Sequence, residues 1–198
     1  MKAIAIIIAL IYALVGNWTV VTEKSFPDIE GHWAEKEIRL LAGMGYVSGY
    51  DDGDFLPQEH ITRAQLASIM NKIKNYTVET TEEVIDLDPD VWYARDVRIA
   101  LGEGYLDGYD DGTFKPQRIV TREEAVTTLN RVFKPKGVGG ATGLPFEDTE
   151  TIQEWAVPSV AVFYSLGYVN GYEDGTFDPK RGVTRAEIIK MIYSIMQK

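Results

Sequence analysis

Apolar residues recur at three-and-four spacing in six stretches of this 198-residue chain, a pattern that predicts six amphipathic helices. Three shorter stretches carry Ile38, Leu41 and Ala42, then Val97, Ala100 and Leu101, then Val160, Phe163 and Tyr164. Each of these helices is predicted to run from just after a tryptophan (Trp33, Trp92, Trp155) to a glycine (Gly45, Gly104, Gly167) suited to a left-handed terminal cap. Pro158 fits only in the first turn of the third one. The longer stretches carry Leu66, Ile69, Met70 and Ile73, then Ala125, Thr128, Leu129 and Val132, then Ile188, Met191, Ile192 and Ile195. The middle set is the thinnest and is partly polar. Between each short and long helix lies a tight-turn block: Gly49-Tyr50-Asp51-Asp52-Gly53-Asp54-Phe55, Gly108-Tyr109-Asp110-Asp111-Gly112-Thr113-Phe114 and Gly171-Tyr172-Glu173-Asp174-Gly175-Thr176-Phe177. Its second glycine allows a positive φ, Asp52, Asp111 and Asp174 bond nearby amides, and a short extended pair flanks it.

The pattern is a tandem repeat. Each tryptophan stands 13 residues before a tyrosine (Tyr46, Tyr105, Tyr168) and 29 before a threonine (Thr62, Thr121, Thr184). Insertions fall only between copies, at 75–84 and in the glycine-bearing connection 134–145. One unit of ~50 residues cannot bury its apolar faces alone, whereas three can share a core. The expected architecture is therefore all-α, three helix-turn-helix repeats around a pseudo-threefold axis with short extended pairs in the loops. An open solenoid is the alternative, and the lack of a polar capping repeat favours closure. The repeats span about 26–75, 85–134 and 146–196 within one domain, 23–198.

Each long helix opens on Thr-Arg-x-Glu/Gln: Thr62-Arg63-Ala64-Gln65, Thr121-Arg122-Glu123-Glu124 and Thr184-Arg185-Ala186-Glu187. Thr with Glu or Gln three residues on is a capping box. The Arg is not explained by it, since a cation in the first turn opposes the helix dipole. Asp28, Asp86 or Asp88, and Asp148 stand ahead of the short helices as candidate caps or first-turn anions.

Residues 1–22 read differently. Lys2 followed by the apolar run Ala3 to Val15 has the anatomy of a secretory signal, with export as the consequence. No Ala-x-Ala cleavage pattern follows, and counting on to Val21 gives an uncleaved anchor, with membrane contact through residues 1–21, as a second reading, an apolar segment buried in an assembly being the third. A net charge of -10 argues against nucleic acid as a partner. There is no Cys, and with only His32 and His60 neither a metal nor a catalytic His cluster is expected. Asp86-Leu87-Asp88-Pro89-Asp90 alternates like a calcium loop, but Val91 and Val97 stand where that loop requires Gly and Glu. No nucleophile sits in a recognisable elbow, and no cofactor motif is present, so no enzymatic activity is expected.

The tryptophan, the Gly-Tyr-x-Asp-Gly-x-Phe block and the Thr-Arg-Ala-Glu helix start resemble the S-layer homology domain, over about Phe26 to Met196. The resemblance implies a secreted cell-surface module that attaches to the cell wall non-covalently. It also implies as ligand a secondary cell-wall polysaccharide, anionic through ketal-linked pyruvate. Arg63, Arg122 and Arg185 would reach into grooves between repeats and pair with its carboxylates, beside free helix-start amides. On that reading Arg63→Ala would leave melting almost unchanged. Trp33, Trp92 and Trp155 pack in the core or between repeats, or else stack on sugar. Gly49, Gly108 and Gly171 let a sugar approach the backbone, although turn geometry alone would also select them. Glu123 places an extra anion beside Arg122 and so sets Arg63 and Arg185 ahead of it. A structural subunit or adaptor of a surface assembly, working through protein contacts, is the alternative function.

Overall fold

The computed structural model describes residues 24–137 and 143–197, so the predicted signal or anchor at 1–22 and the centre of the glycine-bearing connection lie outside the described residues. Among the described residues six α-helices occur, in order α1 (Glu35–Gly43), α2 (Arg63–Lys74), α3 (Ala94–Gly102), α4 (Arg122–Phe133), α5 (Val157–Ser165) and α6 (Arg185–Met196). The apolar stripes read from the sequence face the core, with Ile38, Leu41, Leu66, Met70, Val97, Ala100, Ala125, Leu129, Val160, Phe163, Ile188 and Ile192 all buried, but Tyr164, counted in the third short stripe, is exposed and lies edge-on against the Phe146 ring. The thin stripe of α4 is no exception, since Thr128 is buried with it.

The short helices are shorter than predicted, starting two residues after each tryptophan and stopping two before each glycine. Their chain reversal consumes the difference. After α1 the Tyr46 amide bonds back to the Leu41 carbonyl and Gly45 to Ala42, and after α5 Tyr168 bonds to Phe163 and Gly167 to Tyr164. These are Schellman closures, and Gly45 and Gly167 adopt the positive φ (79° and 69°) that the closure requires. The long helices begin as expected, each with a complete capping box at Thr62, Thr121 or Thr184.

The aspartates ahead of the short helices do something other than cap them. Asp28 accepts the Phe55 and Leu56 amides at 2.9 and 2.6 Å, Asp86 those of Phe114 and Lys115 at 2.7 Å each, and Asp148 those of Phe177 and Asp178 at 2.7 and 2.8 Å. The second residue of each pair is held at φ 54–56°, a left-handed conformation costly for a side chain with a Cβ. Two charge-assisted bonds per carboxylate offset that cost and fix the exit of each turn block. Within the block, Asp52, Asp111 and Asp174 accept the amide two residues on, as the turn reading requires.

The helices pair mainly between repeats. The long helix of each repeat packs on the short helix of the next, α2 on α3 and α4 on α5, and α6 of the third returns to α1 of the first. The ring is therefore closed rather than an open solenoid. At its centre the Ile61 amide donates to Val183, Val183 to Val120, and Val120 back to Ile61, each at 3.0 Å. These three bonds form a cycle about a pseudo-threefold axis, with all three side chains buried. The extended pairing expected beside the turns is found here instead, as bridges between repeats at His60 and Thr184, Thr62 and Ile119, and Thr121 and Gly182. Extended residues just ahead of each helix have free ladder groups, and the axis is where three such segments meet.

Candidate functional site

Each repeated arginine crosses to the neighbouring repeat. Arg63 Nε donates to the Phe114 carbonyl at 2.9 Å and its Nη2 to the Asp107 carbonyl at 2.6 Å. Arg185 bonds Phe55 and Ser48 in the same way, both at 2.9 Å, whereas Arg122 reaches only Asn170, at 2.8 Å. Each guanidinium also lies over two aromatic rings of the turn block it enters: Tyr109 and Phe114 for Arg63, Tyr172 and Phe177 for Arg122, Tyr50 and Phe55 for Arg185. All three residues are only 6% exposed. Burial lowers each guanidinium pKa from the ordinary arginine value, and the facing tyrosine opposes that shift. The arginine that defies the helix dipole thus ties one repeat to the turn of the next.

The helix-start amides expected to help receive an anion are already engaged. The amides of Arg63, Arg122 and Arg185 donate to Arg118, Arg181 and Glu59 carbonyls at 2.8–3.0 Å, and the next amides to Pro116, Pro179 and Pro57. The third in each helix goes to the capping threonine. A ligand at this place must be met by side chains.

The tryptophans do not pack in the core. Trp33, Trp92 and Trp155 are 56, 66 and 51% exposed, so none is a core residue. Each stands at the approach to a short helix, where an indole face is available to solvent. Gly49, Gly108 and Gly171 are explained by packing. A Cβ at Gly49 would lie 2.6 Å from the Asp54 carbonyl and 2.5 Å from Phe26, and one at Gly171 would lie 3.0 Å from the Thr176 carbonyl. At Gly108 the nearest atom is the Thr113 carbonyl at 3.3 Å.

One groove of ≈ 670 Å³ brings several of these residues together. The turn of the first repeat (Ser48, Gly49, Tyr50) forms one side and α2 another, through Gln65, Ser68 and Lys72. Trp92 and Asp96 come from the second repeat and Arg185 from the third. Three repeats contribute to a single concavity, which joins a buried cation, an exposed indole and a row of polar side chains. Gln65 was read from the sequence only as a cap, and Ser68 and Lys72 were not singled out. Their spacing of three and four on α2 puts them on one face, and that was the available signal.

Glu123 does not oppose Arg122 as the sequence suggested. Only 3% exposed, it pairs with Lys180 and accepts the Gln153 amide at 3.0 Å, so its charge is matched away from the guanidinium. Asp86 and Asp88 likewise spend oxygens on backbone amides rather than converging on a cation, and among the described residues no group of three or more acidic or histidine side chains could hold a metal.

The family model for the S-layer homology domain matches this chain three times, at residues 25–67, 86–126 and 145–189. The chain is 32% identical over 183 residues to an amylopullulanase of Thermoanaerobacterium thermosulfurigenes, covering 89% of this chain and 10% of that protein. It is 34% identical over 164 residues to cell surface glycoprotein 1 of Acetivibrio thermocellus, covering 77% and 7%. A third relative, the S-layer protein EA1 of Bacillus anthracis, is 30% identical over 172 residues, covering 85% and 20%. The chain thus spans a fifth or less of each of these relatives. Three matches in register with three structurally equivalent repeats make the chain a member of the S-layer homology domain family.

Proposed function

We propose that this chain is a non-catalytic module of the cell envelope that holds an anionic wall polysaccharide in the grooves between its repeats. The observation that carries the reading is the groove formed by Arg185, Trp92 and the polar face of α2. A buried guanidinium supplies a fixed positive charge of little conformational freedom, and an exposed indole supplies an apolar face for a pyranose ring. Both are what a sugar bearing a carboxylate, such as ketal-linked pyruvate, requires. By repeat position, Arg63 and Trp155, and Arg122 and Trp33, are the counterparts of Arg185 and Trp92. The surface and S-layer proteins among the relatives support placement at the cell surface.

Because Trp92 is exposed, Trp92→Ala separates binding from folding. Co-sedimentation with purified wall sacculi should weaken by about fivefold, the equivalent of ~1 kcal/mol for one aromatic contact, with melting unchanged. Retention indifferent both to this change and to removal of the wall polymer would contradict the proposal and favour an adaptor that works through protein contacts.

A further inference from the structure

The three repeat junctions carry the same arginine but not the same free charge. In the second, Glu124 at the capping position is paired with Arg118, and Arg131 is paired with Asp107 at 2.6 Å. In the third, Glu187 is paired with Arg181, and Lys190 with Glu37 at 2.7 Å. The first differs at each of these places. Gln65 stands where the others have Glu and donates to the Tyr50 hydroxyl at 2.9 Å, and Glu59 replaces the paired arginine. Lys72, the counterpart of Arg131 and of Ser194, has no carboxylate partner among the described residues. The turn tyrosines differ in the same sense: Tyr109 lies under Lys115 and Arg118, Tyr172 under Arg181, while Tyr50 carries only Arg185 and is 40% exposed. Two carboxylates also line the first groove, Asp51 and Asp96, and Asp96 accepts from the Asn71 amide at 2.9 Å.

We infer that the Arg185 groove is the principal anion site of the three, and that Lys72 sets its preference. This rests on the proposed function but goes beyond it, because the repeated arginine alone would make the grooves equivalent. Lys72 lies two helical turns beyond Gln65, about 10 Å along the axis, and lines the same groove as Arg185. An unpaired exposed ammonium gains a full ion pair on binding, whereas a paired one must first exchange a partner.

The tryptophans provide a separate reporter for each groove: Trp92 for the first, Trp155 for the second and Trp33 for the third. Indole N–H signals of the full chain would be followed during titration with the methyl glycoside of a hexopyranose carrying ketal-linked pyruvate, and with the same glycoside lacking the ketal. Trp92 is expected to respond at the lowest concentration, and only to the acidic glycoside. Lys72→Gln should raise the concentration for the Trp92 response by about two- to fivefold, the range of an exposed ion pair, and leave Trp33 and Trp155 unmoved. Asp107→Asn, which frees Arg131, should strengthen the Trp155 response. Equal responses from all three indoles, or a Trp92 response indifferent to Lys72→Gln, would overturn this inference and leave the proposed function standing. No response to the acidic glycoside from any indole would overturn both.

Discussion

A guanidinium buried against two backbone carbonyls holds the fold together whatever charge it offers to a ligand. Arg63 fixes the Asp107 and Phe114 carbonyls and covers the rings of Tyr109 and Phe114, so its removal leaves acceptors unpaired and an aromatic face bare. Arg63→Ala should therefore lower stability by about 2–3 kcal/mol in denaturant unfolding, the cost of losing charged hydrogen bonds in a buried place. That reverses the expectation from the sequence, in which the arginine added almost nothing to stability. The residue was legible as out of place at a helix start, but its partners were not, because a backbone carbonyl has no letter in the sequence. The tryptophans present the opposite case. Their periodicity was plain, yet period alone does not distinguish an inward from an outward aromatic, and exposure above 50% at all three was visible only in the fold.

At the scale of the element, the capping boxes were legible in full, since Thr62, Thr121 and Thr184 and their partners act within four residues of chain. What the sequence concealed was the tertiary use of the same residues. Glu187 both accepts the Thr184 amide at 2.8 Å and pairs with Arg181. Burial pushes its carboxyl up, but the Thr184 amide and the Arg181 guanidinium outweigh burial and hold it below the ordinary glutamate value. A carboxyl whose pKa is depressed on folding contributes stability above its unfolded value, near 4.5, and loses it as pH falls through the folded value. Glu187→Gln, which retains the cap as Gln65 does, should cost on the order of 1 kcal/mol at neutral pH. The difference from the parent should shrink below pH ~4.5 in a series of unfolding curves, and a gap that persisted undiminished to the lowest pH would contradict the assignment.

The described residues form a closed ring in which the main helix–helix contacts run between repeats. Each long helix packs on the short helix of the next repeat, and the bonds among Ile61, Val120 and Val183 close only when all three are present. A chain ending at Gly137 would expose the α1 face that α6 covers and the α4 face that α5 covers, and it should show no cooperative thermal transition by circular dichroism. Repeat spacing made the threefold arrangement legible, because invariant distances from Trp to Tyr to Thr require identical units. Which helix pairs with which was not legible, since an apolar stripe states that a face is covered but not by what. The grooves follow from that cross-repeat pairing, for only a ring places Ser48, Trp92 and Arg185 around one concavity. The most direct test of the account is calorimetric titration of the full chain with a wall-polymer fragment bearing ketal-linked pyruvate, beside the same fragment after mild acid removal of the ketal. Binding that weakens with salt is expected for the first and at least tenfold weaker binding for the second, whereas equal affinity for both would rule out recognition of the carboxylate.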